Sequence, residues 1–154
     1  MNKLKLMSIV LIISLIFGIY NCVILNSQKK SANEIFTDCL SEASSCYAMD
    51  FEKLDQTDKE SYFIKAASNL HTAIEILPFT SYAKVENKTS GSATGISRLY
   101  LVMAIKRTPK STNRLRAVTE KRVAIFKCLD KMSLDPYNKN NWQSLSKIAQ
   151  DIGY

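Results

Sequence analysis

The residues of this chain that could do chemistry are three cysteines and one histidine downstream of an apolar opening segment, namely Cys39, Cys46, His71 and Cys128. Thiolates and imidazoles hold zinc and act as nucleophiles or bases. Such sites use close ligand pairs such as C-x-x-C or H-x-x-x-H, or a nucleophile motif such as G-x-S-x-G, and this sequence contains none of them. We therefore expect no catalytic activity, no metal and no cofactor, with His71 half-exposed at the edge of a helix face.

The cysteine spacing leaves two interpretations open. Cys39 and Cys46 are seven residues apart and share one helix face, about 10 Å apart along the axis, which is too far for them to bridge each other. Either could form a disulfide with Cys128 if the helices that carry them pack side by side. Alternatively, all three are small buried residues with free thiols.

Two charged residues interrupt otherwise apolar helix faces. Asp50 falls in the middle of the face of the first helix after the opening segment, and Arg122 in the middle of a later one. A buried charge without a partner costs several kcal/mol, about 3–5 when one member of a pair is removed. One hypothesis is that Asp50 and Arg122 form a buried ion pair that fixes which helices are neighbours; the other is that each side chain reaches water at a wet edge.

The charge of the chain is distributed unevenly. Residues 26–78 carry five Lys or Arg against nine Asp or Glu, whereas residues 79–154 carry fourteen against five. Arg116, Lys127 and Lys131 fall on one outer helix face, which could bind lipid headgroups, a wall polymer or an acidic protein. A solvated surface is the simpler alternative. We expect no nucleic acid, because the aromatic residues lie on apolar faces and do not alternate with the cations.

The opening segment LMSIVLIISLIFGIYNCVIL, residues 6–25, contains no charged residue. A helix of that length spans about 30 Å, the thickness of the hydrocarbon core of a bilayer. It is longer than the apolar region of a cleaved signal, and no A-x-A-like site follows it. We expect a retained signal-anchor, with cleavage, or lipidation of Cys22, as alternatives.

The lysines on either side of this segment set the expected topology. Lys3, Lys5 and the terminal amine precede it, and Lys29 with Lys30 follow it, so the positive-inside rule slightly favours an amino terminus inside. The expected organisation is a cytoplasmic tail at 1–5, a transmembrane signal-anchor at 6–25 and an extracytoplasmic domain at 26–154. The odd number of cysteines in that domain keeps the opposite orientation open.

The domain itself reads as all-α. Glycine and proline are scarce, and apolar residues recur at helical spacing over about 32–54, 57–77, 112–132 and 140–152. Capping boxes at Ser31–Glu34 and Thr57–Glu60 predict the first two starts, and Pro78 predicts an end. The alternative for the first start is a helix that continues straight out of the apolar segment. Residues 79–93 suggest a loop inside or after a short helix. Residues 99–105, apolar on all sides, suggest a central helix or a buried strand, and we favour the helix because Leu, Met and Ala outnumber the β-branched residues. We predict an amino-terminal transmembrane helix followed by a compact bundle of four to five helices.

One stretch, LDPYNKNNWQSL, resembles the junction between two tetratricopeptide repeats. Pro136, Trp142 and Leu145 are spaced as in that family, and Ala124 matches its small residue in the preceding helix. The resemblance fails in phase, because Pro78 and Pro136 are 58 positions apart and the family repeats every 34. We therefore interpret the region as an ordinary helix hairpin.

These features predict a membrane-anchored helical interaction or scaffolding protein of a bacterial cell envelope. Its expected partners are the lipid bilayer and an envelope protein or anionic polymer. The alternative is a ligand-binding or sensor-accessory bundle that acts through a separate membrane protein.

Overall fold

The computed structural model describes residues 3–89, 95–104 and 110–152, and these residues form helices and no strand. This confirms the predicted all-α class, with a long apolar amino-terminal helix followed by a helical bundle. The six helices are α1 (Lys3–Ala48), α2 (Gln56–Ile76), α3 (Ala83–Thr89), α4 (Gly95–Ala104), α5 (Lys110–Leu134) and α6 (Lys139–Asp151). Single 3-10 turns at Phe51–Lys53 and Leu77–Phe79 lie on either side of α2.

The first helix runs without a break from the apolar segment into the bundle. The predicted start at the Ser31 capping box is wrong, because Ser31 lies inside α1. No glycine or proline occurs between Gly18 and Pro78, so the sequence contains no residue that would stop a helix at that point. The helix also ends at Ala48 and not at the predicted Leu54, and Asp50 is extended with a ψ of 93°.

The capping residue of the second helix lies two residues earlier than predicted, at Asp55 in place of Thr57. The side chain of Asp55, and not that of Thr57, caps it, since Asp55 Oδ1 accepts a hydrogen bond from the Asp58 amide at 2.8 Å. A carboxylate at this position satisfies an otherwise unpaired amide and interacts favourably with the helix dipole. The predicted end is confirmed, because α2 stops at Ile76, just before Pro78.

Five of the helices close into a ring around one core. Going round it, α1 packs on α2, α2 on α4, α4 on α6, α6 on α5, and α5 on α1 again, while α3 lies against α6. Each of the predicted apolar faces contributes buried side chains. The largest fully buried ones are Phe36, Leu40, Tyr47, Phe51, Leu70, Ile96, Leu99, Ile125, Leu129, Met132, Trp142 and Leu145. At about 1.5–3 kcal/mol for each large buried side chain, this core supplies the main favourable term in folding.

The fourth helix is pressed closely against the sixth. A Cβ added at Gly95 would lie 2.6 Å from the backbone nitrogen of Ser146, so only glycine lets the two backbones come this close. The helix favoured for this apolar run is confirmed, and within it Leu101 is 39% exposed on the outer surface of α4.

The amino-terminal half of α1 packs against nothing in the described chain. Apart from the half-buried Ile24, its large apolar side chains from Val10 to Leu25 are more than half exposed, and the stretch that qualifies it as a candidate span contains no buried residue. This half is long and apolar enough to cross a membrane. The same helix then supplies Phe36, Leu40 and Tyr47 to the core.

Candidate functional site

The two charges singled out in the sequence meet where α1 ends. Arg122 on α5 donates from Nη2 to Asp50 Oδ1 at 3.2 Å and from Nη1 to the Met49 carbonyl at 2.7 Å. The pair is not buried as expected, because the Asp50 and Arg122 side chains are 41% and 23% exposed. A hydrogen bond from the Lys53 ammonium, 3.3 Å away, is the main cause that lowers the pKa of Asp50, and the guanidinium adds a smaller effect. This arrangement fixes the turn after α1 and offers no reactive group.

Cys39, Cys46 and Cys128 are all free thiols, so the structure has the second of the two interpretations and no disulfide joins them. The physical reason is the direction of Cys128, whose Sγ donates to the Asn141 carbonyl of α6 at 3.3 Å and so does not face α1. The Cys46 Sγ donates to the backbone carbonyl of Glu42, one turn earlier in the same helix. Burial raises the pKa of each of the three thiols, that of Cys128 to about 11, which holds them in the unreactive neutral form.

The only histidine lies on an exposed groove between α2 and α4. The His71 ring is stacked on Tyr100, with centroids 5.1 Å apart, and its Nδ1 is 3.9 Å from the exposed Glu75 carboxylate. The groove has a volume of about 300 Å³ and is mostly apolar, with Phe63 and Met103 at its base. No group of three or more potential metal ligands occurs within residues 3–89, 95–104 and 110–152.

The three cations of the predicted anionic-partner surface all point outward on α5. Arg116, Lys127 and Lys131 are exposed, and we refer to them as the basic stripe. Arg116 is 3.2 Å from Glu120, one turn further along the helix, so part of its charge is compensated. Along α5 the stripe extends over about 22 Å, from 1.5 Å per residue. It therefore follows the side of the bundle and does not lie across one end.

Sequence reasoning missed the polar contacts that join α1 to α2 and to the turn after it. Asn33 Oδ1 accepts from the Ser81 amide at 2.8 Å, and Asn33 Nδ2 donates to the Ser81 hydroxyl at 3.3 Å. Lys65 and Glu42 form an ion pair of 2.8 Å between α2 and α1. Both contacts join residues far apart in sequence, and no local pattern indicates them.

The exposed Phe79 was also missed. Its side chain is 66% exposed although its turn is firmly held, since the Thr80 hydroxyl donates to the Leu77 carbonyl at 2.7 Å. The phenyl ring borders a groove of about 480 Å³ against residues 27–35 of α1. The only sequence signal is its place just after Pro78, outside the apolar face of α2.

No protein-family model, curated protein or solved structure matches this chain.

Proposed function

We propose that this protein is a membrane-anchored, non-catalytic interaction module of a bacterial cell envelope. It crosses the membrane once, with the amino terminus inside and the bundle outside. The observation that carries the proposal is α1, a single helix with an unpacked apolar half and a half that forms the bundle core. A straight helix of this kind holds a bundle at a fixed height above a bilayer.

The position of the basic stripe favours a lateral partner over the membrane itself. Arg122 lies beside the end of α1, whereas Trp142, eight residues after the end of α5, is stacked on Phe36 nearer the apolar half of α1, so α5 runs from the far end of the bundle back toward that half. A stripe parallel to α1 stands upright on a membrane and leaves most of its cations outside the headgroup layer. It suits an acidic surface on a neighbouring envelope protein or an anionic polymer.

The groove beside His71 and Tyr100 favours the alternative function, ligand binding coupled to a separate membrane protein. Apolar grooves with a few polar groups at the rim are the usual form of small-ligand sites. The wide opening of this one makes it a weaker site than an enclosed cavity. A groove-filling Ala67→Phe substitution separates the two functions, because Ala67 lines the groove and the basic stripe is elsewhere.

Topology is tested first, with a carboxyl-terminal tag in intact cells. The proposal predicts that the protein fractionates with membranes and that external protease removes the tag. A protected tag on a membrane-bound protein would reverse the orientation, and release into the soluble fraction would refute the anchor.

The interaction surface is tested by crosslinking in cells with charge reversal of the basic stripe. The control reverses two cations on other surfaces, Lys59 and Lys147, for which the described part of the chain gives no ion pair. We expect the stripe variant to lose a crosslinked neighbour that the control and the Ala67→Phe variant keep. An unchanged crosslink pattern in the stripe variant would refute the proposed surface, and loss in the Ala67→Phe variant alone would favour the ligand-binding function.

A further inference from the structure

We propose that the turn carrying Phe79 is a second membrane contact, in which the phenyl ring enters the headgroup layer of the bilayer that holds α1. This inference rests on the membrane anchoring proposed above. It assigns a lipid surface as the occupant of the groove between α1 and the end of α2. The α1 residues Ser27, Gln28, Ser31, Ala32 and Ile35 line this groove on one side, and Ile76 and Phe79 from the end of α2 and the turn after it line the other.

The height of the groove follows from the continuity of α1. At 1.5 Å per residue, Ser27 to Ser31 lie about 3–9 Å beyond Leu25, the last residue of the apolar segment. The headgroup layer on each side of the hydrocarbon core is about 5–7 Å thick. Phe79 borders this groove, which begins at the depth of the headgroups and ends at Ile35, about 15 Å beyond Leu25, so its ring can reach the headgroup layer.

The fold holds Phe79 in this place. Hydrogen bonds between Asn33 and Ser81 join the turn to α1, and Leu77 and Thr80 on either side of the exposed ring are buried. A phenyl ring that is 66% exposed on a fixed turn loses little further conformational freedom when it enters a lipid interface.

The surroundings of the ring fit an interfacial contact. Pro78 is exposed next to it, and Ile35 is 43% exposed on the opposite side of the groove. Lys29 and Lys30 are exposed at the same height on α1, where ammonium groups can reach lipid phosphates. The groove is thus continuous with the lipid-facing surface of the apolar segment.

The test uses tryptophan as a depth probe in the full chain. Phe79→Trp is compared with Ile64→Trp, a matched control on α2 that is 58% exposed but about 20 Å further from the apolar segment, from its rise per residue. The wild-type protein supplies the background, because its single tryptophan, Trp142, is 1% exposed. Far-ultraviolet circular dichroism checks that each variant keeps its helix content.

Each protein is reconstituted into vesicles of phosphatidylcholine and phosphatidylglycerol, with and without bromine at the shallow end of the acyl chains. Flotation of the vesicles first reports whether the protein is membrane-bound. We expect Phe79→Trp to lose emission in brominated vesicles and to emit at shorter wavelength than Ile64→Trp. Bromine should quench Ile64→Trp no more than it quenches wild type.

The outcomes separate this inference from the anchoring on which it rests. A protein that floats while Phe79→Trp is quenched no more than wild type would refute the second contact and leave the anchor intact. Quenching of Phe79→Trp and Ile64→Trp to the same extent, and both more than wild type, would mean that the bundle lies on its side, which contradicts the proposed orientation. Failure to float would overturn both proposals.

Discussion

Replacing Trp142 with phenylalanine removes one buried hydrogen bond at the point where α6 meets α1. The indole Nε1 donates to the Pro136 carbonyl at 2.8 Å, and the ring is stacked on Phe36 with centroids 6.0 Å apart. Phenylalanine can keep an aromatic contact with Phe36 but has no donor. Since Pro136 is itself buried, its carbonyl would lose this partner in a place with little access to water.

The expected cost has two parts. An unpaired buried acceptor costs about 1–3 kcal/mol, and the space left by the smaller ring costs about 1 kcal/mol more. The sum is about 2–4 kcal/mol. For a domain of this size, about 4 °C of melting temperature corresponds to 1 kcal/mol, so Tm should fall by about 8–16 °C.

The assay is thermal unfolding of the full chain in detergent micelles, followed by far-ultraviolet circular dichroism. The control is Tyr137→Phe, which also removes one polar group from a ring in the same connection, but from a side chain that is 57% exposed. It should shift Tm by no more than about 2 °C. A Trp142→Phe variant that melts with this control would refute the buried hydrogen bond.

Three further predictions follow from single residues. Gly95→Ala should lower the free energy of unfolding by about 1–3 kcal/mol, because the added Cβ would meet the backbone of Ser146. Helix propensity alone predicts the opposite, a gain of about 1 kcal/mol. Urea denaturation shows whether the free energy of unfolding falls or rises. Because the native fold lowers the pKa of Asp50, mainly through Lys53, its contribution is complete above the unfolded value near 3.8 and disappears as pH falls through the lower native value. Acid titration of stability should therefore be flatter in Asp50→Asn, and an identical acid profile would contradict this. Burial raises the pKa of the native Cys128 thiol to about 11 from 9.0 for an exposed thiol. At neutral pH the thiol should therefore be alkylated about a hundredfold more slowly in the native protein than in urea, as measured by mass spectrometry. Equal rates would contradict its burial.

Sequence periodicity was sufficient to predict the helices and their buried faces. The helical spacing of apolar residues over 32–54, 57–77, 112–132 and 140–152 places Phe36, Leu40, Leu70, Leu129 and Leu145 on apolar helix faces, and all five are fully buried. Repeating apolar positions are a strong signal because they sum over many residues. Helix ends were predicted less well, since one capping residue can be replaced by another nearby, as Asp55 replaces Thr57.

Contacts between distant residues could not be predicted in detail. The sequence suggested that Asp50 and Arg122 might pair, but not that Arg122 also binds the Met49 carbonyl or that the pair lies at the surface. The direction of Cys128 toward α6 depends on how α5 is rotated, which the sequence pattern leaves free. The exposed Phe79 belongs to no periodic pattern, and only the fold brings it beside the part of α1 that follows the apolar segment.

The central claim is that one unbroken helix joins the membrane segment to the bundle. The most direct test is amide hydrogen exchange of the full chain in lipid nanodiscs, resolved over residues 26–33, which lie beyond the apolar segment. A continuous α1 predicts slow exchange through this stretch, comparable with the neighbouring turns, because each amide bonds the carbonyl four residues earlier. Exchange there as fast as in an unstructured peptide would reveal a flexible linker, and the fixed height of the bundle above the membrane would have to be abandoned.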